Sequence, residues 1–249
     1  MPVWSSCPIV VADACCENSI GREFRQVTAP PPALGRRLTT PHAAAVAGVL
    51  FAVLMGTTTV LLRLSVPADL GGSDAWIEAS RSRIGIALAL VPFAGISFLW
   101  FIGVVRDRIG DREDRFFASV MFGSGLLYLA MTFTASAMTA ALVATYEADP
   151  GPFFDDGGYE FAREAIFVLS NSFGVRMAAV FMVSTGTIWW RSGIVPRWIA
   201  ALTYALVLVQ VLGAEFSLWV TLVFPAWVLI VSIHFLAVRS SGGIAPRPH

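Results

Sequence analysis

The chain reads as long apolar stretches separated by short charged punctuation. A helix rising about 1.5 Å per residue needs about 20 apolar residues to cross a hydrocarbon core of about 30 Å. Five charge-free runs come near that length, at 43–62, 84–105, 116–146, 198–214 and 216–238. A sixth, 165–190, is interrupted only by Arg176, and neither half is long enough to cross alone, so the pattern predicts one helix carrying a charge. The expected fold is all-α, a polytopic membrane protein built as a bundle of six transmembrane helices over 42–239. Residues 1–41, ending in a Pro-rich stretch and Arg36-Arg37, read as a disordered cytoplasmic N-terminal tail, and 240–249 as a cytoplasmic C-terminal tail.

Composition makes a bilayer the expected solvent. The 249 residues are 56% hydrophobic and 14% charged, with a mean hydropathy of +0.71, whereas soluble domains carry roughly a quarter charged residues. Every one of the 17 basic residues is arginine, a bias expected of a GC-rich, bacterial genome. The formal net charge is zero and the arginines lie in short groups, which argues against nucleic acid as a partner. Cys7, Cys15 and Cys16 all precede the first apolar run, so no disulfide is expected to staple the helices, and their spacing is not that of a zinc site.

Cytoplasmic loops keep an excess of basic residues, and twelve of the seventeen arginines fall on one side if both termini are cytoplasmic. The opposite loops are acidic, carrying among others Asp69, Asp74, Glu147, Asp155, Asp156, Glu164 and Glu215. The expected location is therefore the inner (plasma) membrane, multi-pass, with both termini inside. Between the fourth and fifth spans, Arg191-Ser192-Gly193-Ile194-Val195-Pro196-Arg197 predicts a tight hairpin, glycine closing one helix and proline opening the next.

In lipid, helices associate through close backbone contact and polar side chains. Gly48, Ala52 and Gly56 form a small-residue ridge on the first helix, read as packing. Gly125, Tyr128, Thr132, Ser136 and Thr139 make a polar stripe on the third, read either as interhelical hydrogen bonding or as the wall of a solvated cavity. Pro92 and Pro225 are expected to kink the second and sixth helices.

Arg176 is the charge expected near the midplane, eleven residues from the start of its run and fourteen from its end. An arginine there is unfavourable by several kcal/mol and faces a bundle interior or a cavity. Glu164 is twelve residues away, about 18 Å along a helix, so polar groups must compensate the charge. Asn171, Ser172, Tyr128 and Thr132 are within reach, and with Arg176 they form the candidate cavity, an anion-accepting site, against the alternative of a structural arginine held by carbonyls and hydroxyls.

Little else points to chemistry. His42 and His234 are read as two interfacial histidines rather than a haem pair, and no cofactor or metal is expected. Asp155-Asp156-Gly157-Gly158 lacks the spacing of a calcium loop. The run Arg106 to Arg115 alternates four arginines with four acids among its other residues and reads as an internally paired turn. No hydrolase or nucleotide-binding motif is present, which disfavours an enzyme.

The hairpin Trp190-Arg191-Ser192-Gly193-Ile194-Val195-Pro196-Arg197-Trp198 resembles that of a family of six-helix prokaryotic integral membrane proteins, a domain of unknown function. The resemblance implies the six-helix layout and carries over no functional residue. Two functions remain: a non-catalytic membrane component or scaffold acting with a membrane-protein partner or as a homo-oligomer, and a small-molecule permease or binding protein with an anion-accepting cavity around Arg176.

Overall fold

The computed structural model describes residues 41–65, 75–109, 115–148, 157–193, 195–214 and 217–240. The cysteines, both tails, the centre of the arginine-acid loop and the Asp155-Asp156 pair lie outside the described residues. Among the described residues all regular structure is helical. The helices are α1 (Pro41–Ser65), α2 (Ala75–Ile109), α3 (Arg115–Ala148), α4 (Gly158–Ser192), α5 (Arg197–Gly213) and α6 (Val223–Ser240), the last preceded by a 3-10 turn at Leu218–Leu222.

Five of these regions are long and apolar enough to cross a bilayer: Ala45–Ser65, Ser80–Arg106, Phe116–Ala148, Gly158–Ser192 and Trp219–Ala237. The sixth, α5, is apolar but has 17 residues, about 26 Å of helix.

Successive helices run antiparallel. Ser80 Oγ donates to the Ser65 carbonyl at 3.1 Å and Thr58 Oγ1 to the Ala87 carbonyl at 3.4 Å, joining α1 to α2. Gly95 and Gly125 admit Phe133 and Ile102 between α2 and α3. Gly186 of α4 lies under Thr203 of α5, and α1 returns against α6, where Gly48 faces Ser232. Alternation brings Pro41 and Ser240 to one end, shared with Arg106, Arg191 and Arg197; we call this the basic end and the opposite one the far end.

The hairpin has the expected form. Gly193 adopts φ 66°, the left-handed geometry that an L side chain disfavours, and its N–H donates to the Trp189 carbonyl at 3.1 Å. Pro196 then sits at the N-cap of α5, and the Ile199 N–H donates to the Pro196 carbonyl at 3.0 Å.

Other expectations change. α2 begins at Ala75, more than two turns before the charge-free run, because Arg81 and Arg83 interrupt hydrophobicity without interrupting backbone hydrogen bonding. Pro225 lies in the first turn of α6, where its missing N–H has no intrahelical partner to lose, so it marks the change from 3-10 to α winding instead of a kink. Pro92 does lie inside α2.

The centre of the bundle is aromatic. Phe51 (α1), Phe98 (α2), Phe181 (α4), and Phe224 and Trp227 (α6) are essentially inaccessible, with Tyr128 (α3) beside them. Phe98 touches four of these rings, with centroids 4.6 Å from Phe51, 5.8 Å from Tyr128, 5.4 Å from Phe181 and 5.5 Å from Phe224. Edge-on contacts dominate, the arrangement that ring quadrupoles favour. Leucines, valines and phenylalanines instead populate the exposed surface of the helices, as expected where lipid tails are the solvent.

Candidate functional site

The candidate residues stand on two helices, Tyr128 and Thr132 on α3 and Asn171, Ser172 and Arg176 on α4. Tyr128 belongs to the aromatic centre, its ring 4.7 Å from that of Phe224. Thr132 Oγ1 donates to the Tyr128 carbonyl at 2.9 Å, Ser136 Oγ to the Thr132 carbonyl and Thr139 Oγ1 to the Ala135 carbonyl, both at 2.8 Å. The stripe of hydroxyls on α3 thus bonds to its own helix one turn back, a third outcome besides the two expected from its pattern.

Arg176 stands on the exposed face of α4 with Phe173 and Val180, while Asn171, Gly174, Val175 and Ala178 form the buried face and Ser172 is half-buried. Along the chain Arg176 lies near the middle of α4. α4 spans 35 residues, about 52 Å, with eighteen of them before Arg176 and sixteen after it. Gln210, three residues from the end of α5, donates its amide Nε2–H to the Val175 carbonyl at 2.9 Å. Arg176 is therefore level with the far end of α5, sixteen residues from Ser192, or about 24 Å from the basic end of its own helix.

Asn171 has a different cation. Arg63 Nη2 of α1 donates to Asn171 Oδ1 at 2.9 Å across 108 positions of sequence. Asn171 is 3% exposed and Gln210 1%. Each amide has one atom committed and one unpartnered: Asn171 Nδ2, a donor, and Gln210 Oε1, an acceptor. Arg63 and the Val175 carbonyl fix which way round each amide stands, since a guanidinium requires an acceptor and a carbonyl a donor.

The backbone that holds Asn171 is wound as a π-helix over Val168–Gly174, in the sequence Val-Leu-Ser-Asn-Ser-Phe-Gly. Serine and asparagine side chains compete for helical backbone groups, and Gly174 lacks the Cβ that would stand 3.1 Å from the Leu169 carbonyl oxygen. Such wide turns shift register within an α-helix and recur at functional sites. Here the wide turn lies on the buried side, with the Gln210 bond arriving just beyond it at Val175. The result is a polar patch of one guanidinium and two amides at the far end of α1 and α5.

Arg63 is the residue that the sequence pattern does not single out. At the basic end, Arg106 lies over the Phe122 ring at 5.3 Å and Arg191 over Phe117 at 5.7 Å, so both guanidinium groups cover aromatic faces of α3. His234 packs edge-on against Trp198 at 5.9 Å. Among the described residues no cluster of three or more His, Cys, Asp or Glu side chains forms a metal site.

No protein family, curated sequence or solved structure matches the chain.

Proposed function

We propose that this chain is a six-span integral membrane protein of a bacterial inner membrane, with both termini cytoplasmic, and that it serves as a non-catalytic component or scaffold working with a membrane-protein partner. The six-span reading adds α5 to the five long apolar helices. Its 17 residues fall short of a standard core by only about 4 Å, and Arg197 marks its start at the end already rich in arginine.

The observation carrying the non-transport reading is the aromatic centre. Rings from α1, α2, α3, α4 and α6 meet where a permeation path through the bundle would run. Moving a solute through them requires breaking contacts among five helices at once.

A second reading, a small-molecule binding protein or permease for an anion, is favoured by the Arg63, Asn171 and Gln210 patch with its two unpartnered buried atoms. In that reading the anion meets Arg63 and Asn171 instead of Arg176.

The test uses reporter fusions and liposomes together. Alkaline phosphatase is expected to be active when fused after Gly72, Gly151 or Glu215, and a cytoplasm-dependent fluorescent protein after Gly110, Gly193 or His249. Equal phosphatase activity after Gly193 and Glu215 would remove α5 from the spans. Purified chain in liposomes is expected to pass no carboxylate or phosphate above protein-free vesicles; uptake abolished by Arg63→Gln would replace the scaffold reading with the second one.

A further inference from the structure

The far end of α2 and α3 carries a groove of about 520 Å³. Its floor exists because small residues line the seam: Gly85 faces Ala140 and Ala144, and a Cβ added to Gly85 would meet no atom within 4 Å. Leu88 closes the deeper end. Arg81 and Glu147 stand at the rim, Arg81 Nε 2.7 Å from Glu147 Oε1.

Its depth is set by α1. Ser80 Oγ reaches the Ser65 carbonyl and Arg83 Nη1 the Leu64 carbonyl, so Arg81 is level with the end of α1. From there to Leu88 is seven residues, about 10 Å of helix. In a chain that crosses the membrane, this puts the charged rim at headgroup level and the apolar floor beside the first half of an acyl chain.

We propose that this groove binds a phospholipid with a zwitterionic phosphoethanolamine headgroup. Its phosphate meets Arg81, its primary ammonium meets Glu147, and one acyl chain lies over Gly85, Ala140 and Ala144. The charge pattern selects the headgroup. A rim of one cation and one anion side by side matches a headgroup of one anion and one cation, and each new contact is a charge-assisted hydrogen bond. A phosphoglycerol headgroup satisfies Arg81 but offers Glu147 only a neutral hydroxyl, leaving the pair with a net negative charge. A phosphocholine headgroup carries the cation without an N–H for the carboxylate. The proposal rests on the membrane reading but not on the number of spans or on a scaffolding role.

Native mass spectrometry of the full chain in detergent, titrated with phosphatidylethanolamine, phosphatidylglycerol and phosphatidylcholine of identical acyl chains, tests it. Phosphatidylethanolamine is expected to bind about fivefold more strongly than either competitor. Gly85→Leu, which extends a side chain into the groove from a position where a Cβ meets nothing within 4 Å, is expected to abolish the preference without lowering the thermal midpoint. Glu147→Gln is expected to erase discrimination against phosphatidylglycerol and keep binding itself. Equal binding of the three lipids by the wild-type chain, or an unchanged preference in Gly85→Leu, would overturn the proposal. So would a change in oligomeric state in Gly85→Leu, which would make the groove a seat for a second copy. Failure of the membrane reading shows separately, as a chain that remains monodisperse without detergent.

Discussion

Trp227 of α6 donates its indole N–H to the Thr203 hydroxyl of α5 at 2.9 Å, and that hydroxyl donates in turn to the Ile199 carbonyl at 2.9 Å. Both side chains are fully buried. The indole has one donor and no acceptor, so this hydroxyl is what allows a tryptophan to close the centre of the bundle without stranding a polar hydrogen. It also ties α5, which brings no ring to the aromatic centre, to the helix that brings two.

Thr203→Val keeps the shape and removes the acceptor. The buried indole N–H is then unpartnered, and the variant is expected to lose about 1–3 kcal/mol, read as a lower midpoint in reversible unfolding from detergent micelles. Thr203→Ser restores the hydroxyl and is expected to recover most of the loss. Equal midpoints for the valine and serine variants would show that the bond contributes nothing to stability.

The small-residue ridge on α1 divides into positions of unequal consequence. At Gly48 an added Cβ collides with Ser232 Oγ and stands 2.9 Å from the buried Phe101 ring, whereas at Gly56 it meets nothing within 4 Å. Gly48→Val is expected to destabilise by about 1–3 kcal/mol through overpacking, and Gly56→Ala to be neutral or stabilising through helix propensity. Ser232 Oγ is fully buried and unpartnered. Ser232→Ala is therefore expected to stabilise by up to about 1 kcal/mol. Thermal unfolding of the three single variants checks the order; a Gly56→Ala variant as damaged as Gly48→Val would mean that the whole ridge is contact surface.

The Arg63 to Asn171 bond couples the end of α1 to the π-wound turn of α4. A double-mutant cycle with Arg63→Leu and Asn171→Leu is expected to give a coupling of about 1 kcal/mol, within the range of interhelical hydrogen bonds in membranes. Amides of Val168–Gly174 are expected to exchange faster in either single variant. Strict additivity would mean that the two groups meet without stabilising each other.

Charge-free runs located four of the five long apolar helices, and the run broken only by Arg176 located the other, because hydrocarbon length is a property of composition alone. Gly193 and Pro196 were legible for a similar reason, each having one backbone role that few residues fill. Helix length was not legible. α2 and α4 run through charged residues such as Arg83 and Glu164, which end an apolar run but not a ladder of hydrogen bonds. The hydroxyl stripe on α3 misled in another way, since helical spacing of Thr and Ser shows which face they share and not whether each turns back to its own carbonyl. Arg63 was missed because its partner lies 108 positions away on a turn of non-standard winding, and no local pattern encodes that meeting.

The brevity of α5 has a consequence for the lipid around it. Beside α2, α3 and α4 the protein presents walls of more than 30 residues, but between Arg197 and Gly213 the wall is 17 residues high. A bilayer meeting a wall about 4 Å shorter than its core thins locally, at a fraction of a kcal/mol per Å. On a six-span chain the membrane is dimpled on one flank and not on the other, so the molecule has a preferred neighbour in thickness: short-chain lipid, or another protein that has already thinned the sheet, gathers on the side of α5.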